Sequence, residues 1–320
     1  MLFLSREEVD ALVSTEQAVA VLHAALLRYS DRTVLIPDAR RLSLRVPAGG
    51  PGAAGMYCFS KVCYLGFAGV VGFRVVAAGP DPSRATRFVL LCDGRDGSPV
   101  ALIAEHGLYQ VRVAALAAIA VRHLAARRPA LTIGLVGAGA LARAILAALL
   151  AVVHPARVLV TSRRAESRLA FAERMKGAVS AADSVRDAVA PADIVVTATT
   201  ATAPILEPEW IKPGALLYLV GGGNEADIRV YRRATKIVVS DWRECMARED
   251  VARMVQEGQL SEADVHASLH EVVQGVKAGR ADDDEVILVR APGTVFHDVA
   301  LAHHVYLRAV ETGRGRRLDG

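Results

Sequence analysis

Three small residues, Gly137, Gly139 and Ala142, have the types and the spacing that dinucleotide binding requires. They follow the apolar run 131–136, and the order Gly-x-Gly-x-x-Ala predicts a strand, a tight turn and the start of a helix. Gly137 permits the turn, Gly139 lets the backbone approach a pyrophosphate, and Ala142 lets the helix pack closely on the strand. The helix N-terminus adds free N–H groups and the positive end of a dipole. The predicted cofactor-binding residues of the turn are Gly137, Ala138, Gly139, Ala140, Leu141 and Ala142.

A tight turn without a ligand is the alternative, and the end of the next predicted strand, 157–161, favours the cofactor. Enzymes that use NAD place an acidic residue there to bind the ribose 2′-hydroxyl. This chain continues with Ser162, Arg163 and Arg164. A hydroxyl and two guanidiniums suit a 2′-phosphate, which a carboxylate would repel. We therefore expect NADP(H) to be preferred over NAD(H); the other interpretation is a solvated loop with two surface arginines.

The composition excludes several classes of protein. The 320 residues are 52% hydrophobic and 22% charged with a net charge of +4, which predicts two globular domains and no binding of nucleic acid. The four cysteines form no C-x-x-C pair, which favours a reducing, cytoplasmic compartment. The longest apolar run, 144–153, is shorter than the roughly 20 residues of a membrane span. Acidic residues soon after the N-terminus do not fit a signal peptide.

The order of strand and helix patterns predicts two kinds of layer. From residue 131 strands and helices alternate, as a doubly wound parallel sheet requires, and 258–275 is predicted as an amphipathic helix. The first hundred residues instead predict helices and a mainly antiparallel sheet, with a hairpin turn at 94–97. The expected fold class is α/β. A Rossmann-type parallel-sheet domain, 116–297, is inserted in a smaller α+β substrate and dimerisation domain, 1–115 plus 298–320.

Arg74 lies inside the apolar strand pattern 69–78. A guanidinium at such a position needs a partner if it is buried, because an unpaired buried charge is costly. The alternative is an arginine on a solvent-facing edge of the sheet.

Several segments, taken in order, resemble the ornithine cyclodeaminase and mu-crystallin family over nearly the whole chain. They are Asp93…Gly97-x-Pro99-x-Ala101-Leu102, Leu108-x-x-x-Arg112-x-Ala114-Ala115, the turn at 137–142, Thr197-Ala198-Thr199 with Pro204, Val220-Gly221, Glu225-Ala226-Asp227, Gly275…Gly279-Arg280, and Pro292-Gly293-Thr294…Asp298-Val299-Ala300…Val305-Tyr306. The resemblance implies a dimer in which a nucleotide domain is inserted into an N-terminal domain that the C-terminal helix completes. It also implies further cofactor contacts from Thr197, Ala198, Thr199, Val220, Gly221 and Gly293.

The resemblance implies roles for four arginines. Arg40 or Arg41, together with Arg74 and Arg112, would bind a substrate carboxylate. Arg74 stands where the family has lysine; it keeps the positive charge but cannot exchange a proton near neutral pH, because its pKa exceeds about 12. The hydroxyls that flank the family arginine are also replaced, by Tyr109 and Val113. These departures predict an altered substrate or an altered proton route.

Asp227 and Arg74 are the predicted catalytic residues. In cyclodeaminases the acid that resembles Asp227 lies by the substrate amine, so Asp227 is expected to stabilise an iminium and pass protons. Its alternative role is to cap a helix. His297, His303 and His304 lack a ligand spacing, and no metal site is expected.

The main hypothesis is an NADPH-dependent oxidoreductase acting on the C=N or CH–NH bond of a small imino or amino acid that carries a carboxylate. Two alternatives stay open. One is an ornithine cyclodeaminase-type lyase with a tightly bound cofactor, and the other is a cofactor- or ligand-binding protein without catalysis.

Overall fold

The structure is a computed structural model that describes residues 1–37, 42–46, 55–79, 81, 85–175, 177, 179–221 and 224–318. The chain divides into two compact units. The first comprises Met1–Arg112 and Thr294–Gly320, and the second comprises Val113–Gly293.

The first unit is an α+β layer pair built on a mainly antiparallel sheet. Its strands are β1 Leu2–Leu4, β2 Val34–Leu35, β3 Leu42–Val46, β4 Met56–Leu65, β5 Val70–Ala78, β6 Thr86–Asp93, β7 Pro99–Ala104 and β16 Arg316–Arg317. The strand order is β16-β1-β7-β6-β5-β4-β2, with β3 also paired to β4, and β1 runs parallel to β7. The predicted antiparallel sheet is confirmed, since β4, β5, β6 and β7 pair antiparallel in sequence order.

Helices cover one face of this sheet. They are α1 Arg6–Leu12, α2 Thr15–Leu27, the start of α3 His106–Leu124, and α11 Val295–Glu311. Capping boxes at Ser5 and Ser14 begin α1 and α2. The long helix α11 packs against β4, β5, β6 and α2. It approaches β5 closely at Gly72, where a Cβ would come within 2.3 Å of the Val299 side chain.

The second unit is a doubly wound parallel sheet, which confirms the predicted fold class. Its strands are β8 Thr132–Val136, β9 Arg157–Thr161, β10 Val179–Ala181, β11 Ile194–Thr197, β12 Leu216–Leu219, β13 Lys236–Val239, β14 Ala267–Ser268 and β15 Ile287–Arg290. The order is β10-β9-β8-β11-β12-β15-β13-β14, and every neighbouring pair is parallel. The order reverses between β8 and β11, and ligands bind at such a switch point in open α/β sheets.

The helices of the second unit are α4 Ala140–Leu150, α5 Ala165–Met175, α6 Val185–Val189, α7 Ile228–Arg233, α8 Trp242–Met246, α9 Glu249–Gln256 and α10 Leu269–Val273. Strands β8, β11 and β12 are buried almost throughout, as a sheet covered on both faces requires. Among the described residues no single helix is both long and apolar enough to cross a membrane; only the bent pair α1 and α2 passes on length and composition together.

The prediction of one amphipathic helix over 258–275 is wrong. Gly258 takes a left-handed conformation with φ of +67° just after α9. Ser261 then caps a short 3₁₀ turn and Ser268 caps α10, each through a capping box. The apolar spacing is real, but the serines and the glycine divide it between β14, α10 and turns.

Candidate active site

The turn after β8 has the backbone that dinucleotide binding requires. Gly137 adopts φ of +120°, and its N–H donates to the carbonyl of Thr161 at 2.8 Å. A Cβ on Gly137 would lie 2.4 Å from the carbonyl oxygen of Ala198, so the two loops approach too closely for a side chain. Gly139 is the N-cap of α4 without a side-chain cap, and no atom lies within 4 Å of the place of its missing Cβ. The N–H groups at this helix start are therefore open to a ligand.

A cavity of about 690 Å³ lies at this turn, along the carboxyl ends of β8, β9 and β11. Predicted cofactor residues that line it are Gly137, Ala138, Gly139, Ser162, Arg163, Arg164, Ala198 and Thr199. Arg163 and Arg164 are exposed and form no ion pair with a described residue. Arg168 also lines the cavity, and its guanidinium donates to the carbonyl of Ser162 and to Asp183 at 3.2 Å each.

Glu225 fixes the loops on the far side of the cavity. Its buried carboxylate accepts hydrogen bonds from the Thr197 hydroxyl at 2.6 Å, from the Thr199 N–H and hydroxyl at 2.8 and 2.6 Å, and from the Gly221 N–H at 2.9 Å. Gly221 is required at its position, because a Cβ would come within 2.2 Å of the Glu225 carboxyl carbon. Glu225 thus joins Thr197, Thr199 and Gly221, a role that the sequence alone does not indicate.

Arg290, at the end of β15, is also structural. Its side chain is 1% exposed and binds both carboxylate oxygens of Asp250, at 3.0 and 3.1 Å. It donates as well to the carbonyls of Leu219 and Gly221, at 3.1 and 2.8 Å. Arg290 therefore anchors the carboxyl end of β12 beside the cavity-lining loops.

The first unit holds a buried cluster of two arginines and two acids, which we call the Arg74–Arg112 cluster: Arg74, Glu105, Arg112 and Asp298. Arg74 on β5 donates from Nε to Glu105 Oε1 at 2.8 Å, and its Nη2 forms an ion pair with the same oxygen at 2.6 Å. Arg112 on α3 donates from Nε to Asp298 Oδ1 on α11 at 2.8 Å. Arg74 Nε also lies 3.6 Å from Asp298 Oδ2. The alternative that Arg74 is a solvent-facing edge residue is therefore wrong, since its side chain is buried and paired.

Two aromatic rings stack on the guanidiniums of this cluster. The ring of Tyr109 lies 4.9 Å from Arg112 and 5.6 Å from Arg74, measured from its centroid to each guanidinium carbon. The ring of Phe59 lies 5.4 Å from Arg74. Such contacts hold a guanidinium plane in one orientation and shield it from water. The tyrosine that replaces a family hydroxyl thus has a structural partner here.

The two acids of the cluster have opposite pKa shifts. Burial raises the pKa of Glu105 to about 7, although Arg74 acts to lower it. Burial also acts to raise the pKa of Asp298, but Arg112 and Arg74 outweigh it and hold that pKa below its usual value. Burial acts to lower the pKa of Arg74, yet Asp298 and Glu105 outweigh it and raise that pKa. Of these three groups, Glu105 is the one whose pKa lies near neutral pH.

Asp227 is the N-cap of α7, as its alternative role predicted. Its Oδ1 accepts from the Arg229 N–H at 2.9 Å, and its Oδ2 pairs with the Arg229 guanidinium at 2.8 Å. Burial acts to raise the pKa of Asp227, but the hydrogen bonds from Arg229 outweigh it and lower the pKa. Asp227 is therefore an anion at neutral pH.

The remaining predicted site residues lie in several places. Arg40 and Arg41 fall outside the described residues. Leu141 and Ala142 lie in the first turn of α4, and Ala142 is fully buried. Gly293, with φ of +74°, donates its N–H to the Ser240 hydroxyl at 3.1 Å. His303 and His304 lie on α11, and no group of three potential metal ligands occurs among the residues with described positions.

Glu105, Asp298 and Glu225 are the site residues that sequence reasoning missed. One signal was available for Glu105. A buried arginine on a strand demands an acid, and Glu105 directly follows the neighbouring apolar run 99–104. Asp298 was noted only within a matching segment, and nothing local indicated that it pairs with Arg112.

The parallel sheet, the glycine turn and the cavity define a dinucleotide-binding protein of the Rossmann class. Residues 57–313 match the model of the ornithine cyclodeaminase/mu-crystallin family, and the chain belongs to that family. The resemblance drawn from the sequence segments is thereby confirmed.

Three relatives show what the chain is similar to. Δ1-pyrroline-2-carboxylate reductase of Bacillus cereus is 28% identical over the full length of both chains. The structure of Thermococcus litoralis Δ1-pyrroline-2-carboxylate reductase with NADH and L-proline is 27% identical, with a TM-score of 0.88 over 99% of this chain and 100% of that one. An archaeal alanine dehydrogenase dimer with bound NAD is 25% identical, with a TM-score of 0.88 over 100% of this chain and 99% of that one. These names agree with the predicted reaction class, oxidoreduction at a carbon–nitrogen bond.

Proposed function

We propose that the protein is an NADPH-dependent reductase of the C=N bond of a small cyclic imino acid, of the kind represented by Δ1-pyrroline-2-carboxylate. The observation that carries the proposal is the end of β9. In the cavity at the glycine turn, β9 is followed by Ser162, Arg163 and Arg164 and by no acidic residue, which suits a 2′-phosphate.

The residues of the second unit fit such a cofactor. Gly139 leaves open space where a pyrophosphate would approach α4, and the helix start offers unpaired N–H groups. A smaller pocket of about 180 Å³ shares Ala138 and Ser167 with the cavity and adds Arg143 and Arg174. These arginines increase the positive charge around the proposed 2′-phosphate position. When bound, the reduced nicotinamide supplies the hydride.

The Arg74–Arg112 cluster is the proposed site for the substrate carboxylate. The contacts of Arg74 with Glu105 and Asp298 use Nε and Nη2, and its Nη1 makes no hydrogen bond to any residue that the structure describes. A free guanidinium N–H next to an already oriented arginine suits a carboxylate. Arg40 and Arg41 are proposed to take part as well.

Asp227 is proposed to act as a fixed anion. Because its pKa is lowered, it would stabilise the positive charge of a protonated imine and would not supply the proton.

A homodimer is proposed on the uncovered face of the sheet in the first unit. The face opposite α11 carries Leu42, Leu44, Phe73 and their cross-strand neighbours. Their exposed fractions, 76%, 58% and 37%, are high for large apolar side chains. A contiguous apolar face of this kind marks an association surface, and the archaeal alanine dehydrogenase is a dimer.

Ornithine cyclodeaminase activity is the second candidate, favoured by the family membership and by the presence of Asp227. One experiment separates the two. Loss of NADPH absorbance is followed with cyclic ketimine carboxylates and with 2-oxo acids plus ammonia or amines, while ammonia is measured in parallel with ornithine and NAD(P)⁺. NADPH consumption supports the reductase. Release of ammonia from ornithine without net cofactor turnover supports the cyclodeaminase. No reaction in either assay, together with tight cofactor binding, supports a binding protein.

A further inference from the structure

Glu105 has one carboxylate oxygen that the rest of the cluster does not use. The residue follows β7 directly and is 1% exposed. Oε1 accepts the hydrogen bond from Arg74 Nε and forms the ion pair with Arg74 Nη2. Oε2 is buried and has no partner among the described residues. A buried carboxylate oxygen without a donor is costly when the group is charged, whereas a protonated carboxyl carries less of that cost.

Charged and titratable groups face Glu105 from each element that packs around it. The two acids and two guanidiniums in direct contact sum to zero when all are ionised. Farther out, Lys61 lies opposite Arg74 in the β4–β5 pair, and Arg87 lies on the strand whose carbonyl accepts the Glu105 N–H. The groups close to Glu105 or to its partners are Arg74 from β5, Tyr109 and Arg112 from α3, and Asp298 with the neighbouring His297 from α11.

A third carboxylate would disturb this balance. If a substrate carboxylate binds to Arg74 and Arg112, the contact cluster holds three anions against two cations. A like charge raises the pKa of its neighbours. Asp298 is held ionised by Arg112 and Arg74, so the additional negative charge acts on Glu105.

We propose that Glu105 is a positioning residue for the substrate carboxylate: Oε1 holds Arg74 in place, and Oε2 takes up one proton from solvent as the carboxylate binds. The proposal rests on the proposed function, because it assumes that the cluster receives a carboxylate. The step forms one O–H bond at Oε2 and consumes one solvent proton, and no other bond changes. Glu105 thereby carries the exchangeable proton that Arg74 cannot carry.

The pKa of Glu105 supports this assignment. At about 7, it leaves the group partly ionised in the free protein at neutral pH. Substrate binding then draws in about 0.9 proton at pH 8, about 0.5 at pH 7 and about 0.1 at pH 6, if the pKa of the bound state lies well above 8. The affinity for carboxylate falls with pH above 7, approaching tenfold per unit.

Calorimetric titration of the NADPH-loaded protein with pyrrole-2-carboxylate tests the proposal. The heat is measured in buffers of different ionisation enthalpy, which gives the number of protons taken up. Glu105→Gln keeps an oxygen for Arg74 but cannot titrate. It should bind the probe with an affinity that no longer depends on pH between 7 and 9, and with no proton uptake. Asp93→Asn is the matched control, since Asp93 pairs with Arg95 on an exposed turn away from the cluster, and its uptake should match the wild type.

Two results would overturn the proposal: binding to the wild type at pH 8 without proton uptake, or undiminished uptake in Glu105→Gln. If Glu105→Gln does not fold, the wild type alone tests the proposal. Proton uptake that does not decline from pH 8 to pH 6 would exclude Glu105 as the group that is protonated. Failure of the proposed function looks different. A wild type that binds NADPH but not the probe has no carboxylate site, which overturns both proposals.

Discussion

Asp298 Oδ1 accepts a hydrogen bond from Arg112 Nε at 2.8 Å, although the two residues stand 186 positions apart in the chain. Both side chains are buried, and Arg74 reaches the other carboxylate oxygen. The C-terminal helix α11 therefore supplies the counter-ion for two arginines of the proposed substrate site.

Asp298→Asn should destabilise the protein at pH 7 by about 3–5 kcal/mol, because it leaves two buried guanidiniums short of a counter-ion. The folded-state pKa of Asp298 is lowered, so its contribution is full above the unfolded value and is lost as pH falls through the folded value. The loss of stability on acidification from pH 5 should therefore be shallower in the variant. Denaturant unfolding at pH 3, 5 and 7 measures this. Equal slopes in both proteins would contradict the role of Asp298.

Gly139→Ala should weaken NADPH binding at least about tenfold without a change in melting temperature. The place of its Cβ is empty in the protein, so the fold tolerates the methyl group, but the proposed pyrophosphate would meet it. Gly137→Ala is the contrasting variant. Its Cβ would lie 2.4 Å from the Ala198 carbonyl oxygen at φ of +120°, so stability itself should fall. If Gly139→Ala keeps the wild-type affinity for NADPH, the pyrophosphate does not bind at Gly139.

The double variant Arg163→Ala, Arg164→Ala should lose NADPH affinity by about one hundredfold and keep NADH affinity within about threefold. The reason is that both guanidiniums are proposed to contact only the 2′-phosphate. Arg157→Ala, at the exposed start of β9, is the control. Fluorescence titration gives the dissociation constants of NADPH and NADH for the wild type, the double variant and the control. A parallel loss for NADH and NADPH would show that the arginines bind the nucleotide without selecting the phosphate.

Asp250→Ala should cost about 3–5 kcal/mol of unfolding free energy, because Arg290 would remain buried without its carboxylate. Replacing both residues together, Asp250→Leu with Arg290→Met, should recover part of this loss. Chemical denaturation of the wild type and of these two variants measures the loss and its recovery. A single variant as stable as the wild type would show that the pair does not anchor β12.

The sequence predicted the features that depend on short-range order. The turn at Gly137 and Gly139 follows from residues within a few positions of each other. Burial of Arg74 was weighed against exposure, and its partner could be inferred only as some acid. That this acid is Glu105, 31 positions away, depends on the pairing of β5, β6 and β7.

Two misjudgements have the same physical origin. The helix predicted over 258–275 failed because Gly258, Ser261 and Ser268 satisfy backbone groups locally and interrupt an apolar pattern that still packs. Glu225 was given no role because its four hydrogen bonds close loops at the ends of different strands. Long-range closure of this kind leaves no periodic pattern in a sequence.

The central claim is reduction of a carboxylated cyclic imine by NADPH, and steady-state oxidation of NADPH with Δ1-pyrroline-2-carboxylate tests it most directly. We predict that NADPH is consumed in proportion to the proline formed, with a higher kcat/KM than NADH gives. The KM for the imine should rise above pH 7 as Glu105 ionises. No NADPH consumption by a protein that binds the cofactor tightly, or ammonia release from ornithine instead, would contradict the account.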